Sequence, residues 1–492
     1  MSTAVFEPHP LVLLLGKPAA DFTCGDLVRA AEELELRQVN LRYVGGDGRL
    51  KTLAFVVNSR EHLAEILTRG ERVDGSSVFE GTDTEASDVY IVPRHRTAFL
   101  NPFGERTSLD VLCSFYDQDG QPLDYAREQI VRRAAEVLTA ETGMVLEAFG
   151  ELEYYLVEER DRTFPAEEER GYQESTPYSK GQQVREQVLG HLSAMGVQLK
   201  YGHAEVGNIL RDEQQLVQHE IELWPVPVEQ AADALVLAKW VVREVADAHG
   251  VEATFAPSVS SDGAGSGLHV HTRLVLDGAS AIVDEDGIND TARRLIAGYL
   301  SSARSLTAFG NTVPTSYLRF ADGDESPEGI CWGETDRTGL VRVPLAWRGR
   351  VLPDMVAHAN PGSSEPIPEP DIDPQTVELR LGDGSADVHL LLAGMAVAAR
   401  RGLADPDSLD LAARMSTADH DDFEQLPTSC AESADELERE RALFEADGVF
   451  PANLIDAVLE RLREADAAVD MKKVAKNDDA RAELVERYWH VG

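Results

Sequence analysis

Two rhythms of apolar and polar positions run along the chain. Helical periodicity marks residues 25–36, 60–69, 125–142, 186–195, 228–250, 289–308 and 388–403. The 228–250 stretch is the clearest of these, and Gly250 closes it. Period-two alternation predicts strands at 38–44, 50–57, 88–93, 109–116, 144–157, 217–224, 340–344 and 377–381. A further strand carries His269 and His271 and runs to Leu276. Residues 73–78 form a turn-type cluster, 158–180 a long polar loop and 311–332 an irregular segment. The last 90 residues read as acidic helices, and there is no internal repeat. The pattern predicts an α+β chain, with a small domain over 1–120 and a large one over 121–492.

Composition excludes several function classes. The chain has 87 acidic and 46 basic residues, a net charge of −41, so a nucleic-acid or anionic-membrane binder is not expected. No apolar run approaches the roughly 20 residues of a membrane span. The stretch Leu11–Leu15 lacks a basic flank, so no signal peptide is expected and the expected location is cytoplasmic. Cys24, Cys113, Cys331 and Cys430 have no paired spacing and give neither a disulfide framework nor a zinc site. The dispersed acidic surface with few lysines suits a salt-rich, halophilic cytoplasm.

Candidate chemistry comes from spacing. Gly263, Gly265 and Gly267 alternate with small residues just before His269 and His271, so a side-chain-poor loop runs into two imidazoles on one strand face. Glu151 with Glu153, and Glu378 with Arg380, repeat the two-residue spacing inside apolar strands. Charges on such a face are costly to bury unless paired or metal-bound. Carboxylates joined by imidazoles suit Mg²⁺ or Mn²⁺ rather than thiolate-bound zinc. Arg319, Arg337, Arg342 and Arg380 share the second half, and metal plus arginine is what phosphoryl transfer needs. The structural alternatives are a solvated Glu-x-Glu face and scattered surface arginines.

In order along the chain, these residues resemble the glutamine synthetase family, in its bacterial type I branch and including its γ-glutamyl-amine ligase relatives. The resemblance rests on Val73-Asp-Gly-Ser-Ser77, Gly150-Glu-Leu-Glu-Tyr-Tyr-Leu156, Glu205-Val-Gly with Gln218-His-Glu220, and Ala253-Thr-Phe-Ala-Pro257. It continues through Gly265-Ser-Gly-Leu-His-Val-His271, Thr315-Ser-Tyr-Leu-Arg319, Glu325-Ser-Pro327, Arg337, Val341-Arg-Val-Pro344 and Glu378-Leu-Arg380. It implies an N-terminal β-grasp-like domain, a large catalytic domain with a helical C-terminal part, and an active site between subunits of stacked rings, a homododecamer in this branch.

By resemblance, Glu153, Glu205 and Glu220 would hold one metal, and Glu151, His269 and Glu378 the other. His271, Arg337 and Arg342 would handle ATP; Gly265, Arg319 and Arg380 would hold glutamate. Asp74 of the adjacent subunit, with Ser77, Glu205 and Tyr172, would bind ammonium. Glu325 would sit on a flap that keeps water out. The activity implied is glutamate–ammonia ligation with ATP, and the alternatives are a γ-glutamyl ligase for a larger amine or a non-catalytic ring former. The chain departs from the family pattern at Ser258, Ala264, Thr376 and Asp387-Val-His389, and by an insertion at 207–217. Residues 402–425 lack the tyrosine that regulated relatives adenylylate.

Overall fold

A computed structural model describes residues 6–79, 87–261, 263–322, 326–327, 329–345, 352–363, 365–368, 372–418, 423–474 and 476–492. Its N-terminal sheet has six strands: β1 (Gln38–Val44), β2 (Leu50–Val56), β3 (Glu71–Asp74), β4 (Asp88–Pro93), β5 (Phe99–Asn101) and β6 (Ser108–Tyr116). They run in the order β2-β1-β6-β4-β3, with β5 on β6, and β1 pairs with β6 in parallel. Helices Cys24–Glu33 and Arg60–Arg69 bury Leu27, Leu63 and Leu67 against Leu41, Val111 and Phe115. Thr23 caps the first of these with a reciprocal Thr–Asp26 pair, so its start is encoded locally.

The large sheet holds β7 (Val145–Glu159), β8 (Leu199–Leu210), β9 (Gln214–Leu223), β10 (Val226–Pro227), β11 (Glu252–Thr254), β12 (Gly267–Leu276), β13 (Ala279–Ser280), β16 (Gly329–Glu334), β17 (Gly339–Val343) and β18 (Val377–Asp383). A separate two-stranded ribbon is β14 (Val283–Asp284) with β15 (Gly287–Ile288). The main order is β16-β17-β18-β12-β7-β9-β8. Helices Val228–Ala248, Asp290–Gly310 and Val388–Ala404 cover one face. There Leu235 fills the space beside Gly150, and Tyr299 meets the Thr272 hydroxyl at 2.9 Å. The opposite face is left for chemistry.

Two expectations change. Residues 73–78 are not only a turn: β3 ends at Asp74, and a one-turn helix, Gly75–Val78, follows with Asp74 as its cap. Residues 311–332 contain a helix, Pro314–Asp322, and then β16. Pro314 looks like a breaker in sequence, but the first helical position has no backbone bond to lose. The 158–180 stretch carries no helix or strand after β7 ends at Glu159.

Buried charge pairs join the two parts. Arg94 donates to both oxygens of Asp233 at 2.6 and 3.0 Å. Arg127 donates to Asp387 at 2.8 Å, and Arg42 lies 4.1 Å over the Trp240 ring. Asp387 also caps helix Val388–Ala404, and His389 sits 3.4 Å from Asp233, so this divergent tripeptide belongs to the seam between the domains. Asp233→Ala leaves the Arg94 guanidinium buried without its carboxylate. The expected loss is about 3–5 kcal/mol in urea unfolding, whereas Glu32→Ala, which breaks the exposed pair with Arg60, should change stability by no more than about 1 kcal/mol.

Candidate active site

Strand alternation and register build the site. On β7, Phe149, Glu151 and Glu153 face away from the helices, while Leu152 and Tyr154 enter the core. Across the sheet, Glu151 stands opposite His269 on β12 and Glu222 on β9, and Glu153 opposite Glu220. Glu220 in turn faces His203 on β8; on the other side His271 faces Glu378, and Glu378 faces Arg342. One row of side chains therefore runs from β8 to β17.

The distances are short. Glu151 accepts from His271 Nε2 at 2.9 Å and pairs with His269 Nδ1 at 3.2 Å. His269 Nδ1 is 3.8 Å from Glu378, and His269 Nε2 is 4.0 Å from Glu153. Glu153 accepts from the Gly267 amide at 2.6 Å and from Gln218 at 3.1 Å. His203 Nε2 is 3.0 Å from Glu220, and its Nδ1 is 3.9 Å from Glu205. Glu378 takes Arg380 on one oxygen at 3.0 Å and Arg342 on the other at 2.8 Å. A side chain on Gly267 would have no room, because a Cβ there would lie 2.9 Å from His269 Nε2 and 3.1 Å from Arg319 Nη2.

The electrostatics of this row are unbalanced. Burial, and then the charges of Glu151, Glu153, Glu205 and Glu222, push Glu220 well above the usual carboxylate range. Burial opposes ionisation of Glu151 too, but His271 and His269 hold it well below that range. His269 falls to about 4 because it is buried beside Arg380. His271 is raised, the Glu151 carboxylate outweighing the cost of burial. Among the described residues the buried His269 Nε2 has no hydrogen-bond partner. An orphaned imidazole nitrogen amid crowded carboxylates fits a divalent cation with oxygen and nitrogen ligands.

These groups line a cavity of about 1120 Å³. Arg342, Arg380 and His271 are in its wall, with Arg337 on the exposed turn between β16 and β17. Tyr172 is half exposed in the wall, its ring edge 5.4 Å from His203. Arg319, on helix Pro314–Asp322, is buried behind Gly265 and Gly267. Asp74 and Ser77 are not part of this wall. They lie in the N-terminal domain, where the exposed Asp74 accepts from the hydroxyls of Ser76, Ser77 and Ser87 at 2.6–2.7 Å. Those hydroxyls hold its carboxyl far below the usual range. Glu325 falls outside the described residues, although its neighbour Ser326 lines the cavity.

Sequence reasoning missed His203 and Lys200, and it placed Glu222 on the 217–224 strand without a role in the site. His203 and Glu205 have the same two-residue strand spacing as the chosen pairs, so the signal was present. Lys200 binds Glu222 at 2.5 Å at the cavity wall. Residues 207–217, where an insertion is expected, form the end of the β8–β9 hairpin, and a register shift lies between Ala204 and Asn208, next to Glu205. Thr376, one of the departures, receives His271 Nδ1 at 2.9 Å and orients that ring.

A β-sheet domain thus stands ahead of a larger sheet-based domain with a charged cavity. Residues 35–118 match the family "Glutamine synthetase, beta-Grasp domain", and residues 126–478 match "Glutamine synthetase, catalytic domain". The chain belongs to the glutamine synthetase family, which places it among the ATP-dependent ligases. The glutamine synthetase of Thermococcus kodakarensis is 28% identical over 448 residues, covering 88% of this chain and 91% of that protein. A cryo-EM structure of Plasmodium falciparum glutamine synthetase superposes with a TM-score of 0.75 at 18% identity, over 92% of this chain and 98% of the other. A ligand-free structure of GmaS gives 0.71 at 19% identity, over 92% and 99%. At these identities the two superpositions show the fold. Among the described residues, no helix is long and apolar enough to cross a membrane.

The crowding around Glu220 has a measurable consequence. A carboxyl whose folded-state pKa is raised binds its proton more tightly folded than unfolded, so it costs stability once pH rises past the ordinary value near 4.5. In chelator at pH 8, Glu220→Gln should therefore raise Tm, with the gain vanishing below pH 4.5, where both forms are neutral. The same variant should lose the Tm increase that Mn²⁺ gives the parent protein.

Proposed function

We propose that the protein is a glutamate–ammonia ligase that forms glutamine through γ-glutamyl phosphate, with ATP as co-substrate and two divalent metals, Mg²⁺ or Mn²⁺. The observation that carries this reading is the single sheet face on which Glu151, Glu153, Glu205, Glu220, His269 and Glu378 converge within the family's catalytic domain. When bound there, the metals would neutralise charge on the phosphoryl group in transit. His271, Arg337 and Arg342 direct donors and positive charge at the ATP phosphates. Arg319 and Arg380 hold the glutamate carboxylates, with the backbone at Gly265 leaving room for the substrate. Glutamate's side-chain oxygen attacks the γ-phosphorus, and ADP leaves.

Asp74, with Ser77, gathers ammonium from the neighbouring subunit of a ring, and Glu205 and Tyr172 complete its pocket. A carboxylate held so firmly ionised suits the capture of a small cation. Asp74 takes a proton from ammonium, the nitrogen of the resulting ammonia attacks the acyl carbon, and phosphate departs with the second proton. Glu325, on the flap, shields the acyl phosphate from water. A larger amine is the second reading, favoured by the half-exposed Tyr172, Tyr201 and Trp224 in the cavity wall and by Ala264.

Glutamate-dependent phosphate release from ATP, measured in high KCl across a panel of amines, separates the two. Saturation by ammonium is expected, and preference for a bulky amine would replace the first reading with the second. Asp74→Asn should lower kcat/KM for ammonium by about 10²–10⁴ with little change in KM for ATP. If Asp74 serves a neighbour's cavity, mixing Asp74→Asn chains with Glu220→Gln chains in one oligomer should restore activity that neither has alone. Failure of that complementation would remove the shared site.

A further inference from the structure

We propose that His203 is a direct ligand of the metal at Glu205 and Glu220, so that each metal position carries one imidazole and the pair favours Mn²⁺ over Mg²⁺. This rests on the two-metal reading above and adds a ligand that the family resemblance does not supply.

His203 reaches that position by strand geometry. It stands two residues before Glu205 on β8 and opposite Glu220 on β9, so all three side chains share a face. Its Nδ1 lies 2.9 Å from the Ala204 carbonyl oxygen. A carbonyl can only accept, so Nδ1 carries a proton and Nε2 is the nitrogen turned toward Glu220. That nitrogen is 3.0 Å from Glu220 Oε1. Without metal a proton bridges this contact; a divalent cation that displaces it would be bound by both atoms. An octahedral cation with bonds of about 2.1 Å has adjacent ligand atoms about 3.0 Å apart, so both atoms could enter one such shell with little movement. Donor atoms of His203, Glu205 and Glu220 all lie within 4.8 Å of one another.

The surroundings hold this ring in place. Tyr172 meets it edge-on at 5.4 Å, and Tyr201 lies 5.8 Å away on the other contact. Glu153, by contrast, has its Oε2 engaged by the Gly267 amide and Gln218, where it fixes the glycine loop. At the second position, His269 supplies the imidazole beside Glu151 and Glu378. Mg²⁺ prefers oxygen and dehydrates reluctantly, whereas first-row transition ions accept imidazole. One nitrogen at each position therefore tilts the pair toward Mn²⁺.

Titrating the full-length protein while following the EPR signal of free Mn²⁺ tests this without relying on turnover. The parent should show two binding steps, both resisting Mg²⁺ competition. His203→Gln should weaken one step by at least the roughly ten- to hundredfold that loss of even an outer-shell partner costs, and should narrow the Mn²⁺/Mg²⁺ preference of that step. Two unchanged steps in the variant would overturn the assignment of His203 and leave the two-metal reading standing. No binding by the parent would overturn both. If the variant does not fold, pulsed EPR of the Mn²⁺-loaded parent labelled with ¹⁵N-histidine decides the matter: coupling to imidazoles at both positions supports the proposal, and coupling at one position overturns it.

Discussion

Like charge compressed on one sheet face is the constraint around which the rest of the molecule is arranged. Register sets Glu220 opposite Glu153, and Glu222 opposite Glu151, at the roughly 5 Å separation of directly paired strand residues. Two such carboxylates repel by about 3 kcal/mol at an effective dielectric near 20. A sheet held only by local propensity would relieve this by slipping or splaying. Here it cannot, because the other face is committed: Leu152, Tyr154, Leu268 and Leu379 are buried, and a one-residue slip would send them to the wet side. The apolar packing of one face thus holds the charges of the other in place, ready for a counter-charge.

Part of that counter-charge is already built in. Arg342 and Arg380 bracket Glu378, His271 pairs with Glu151, and Lys200 with Glu222. At the β8–β9 end, Glu220 and Glu205 lie 3.0 and 3.9 Å from the His203 ring nitrogens. Positive charge is therefore uneven along the row, with two guanidinium groups on Glu378 at β17 and β18 and, from β8, one ammonium, Lys200, held by Glu222. The domain seam follows a different rule: Arg94 with Asp233, and Arg127 with Asp387, are paired one to one and buried, which fixes orientation without leaving charge over.

How much of this could be read from the sequence depends on the range of the interaction. Glu151 with Glu153, His269 with His271, and Glu378 with Arg380 stood out because period-two spacing is local and their neighbours are apolar. Which strand lies beside which is not local, so the row from His203 to Arg342 could only be assembled from the registers. His203 shared the local signal, yet its strand is wetter: Lys200 and Tyr201 precede it, and no apolar run frames it. The helix at Pro314–Asp322, which carries Arg319, was hidden by its first residue, since a proline reads as a break unless its place at the helix start is known. The one-turn helix after Asp74 is too short for any periodicity to show and exists through a side-chain cap.

The departures from the family pattern then take on a physical order. Asp387 and His389 serve the domain seam, Thr376 orients His271, and the Ala264 carbonyl accepts the Tyr155 hydroxyl at 2.8 Å. None of these takes a carboxylate from the row; each changes what surrounds it. A chain of net charge −41 that receives anionic substrates must also overcome its own field. Raising salt from 0.1 M to 1 M shortens the Debye length from about 10 Å to about 3 Å, which removes that long-range repulsion. The contacts inside the cavity, at about 3 Å and shielded from solvent, are much less affected. A net charge of −41 and arginine at one end of the cavity are therefore compatible: the first acts at distances that salt can screen, and the second at distances where screening is weak.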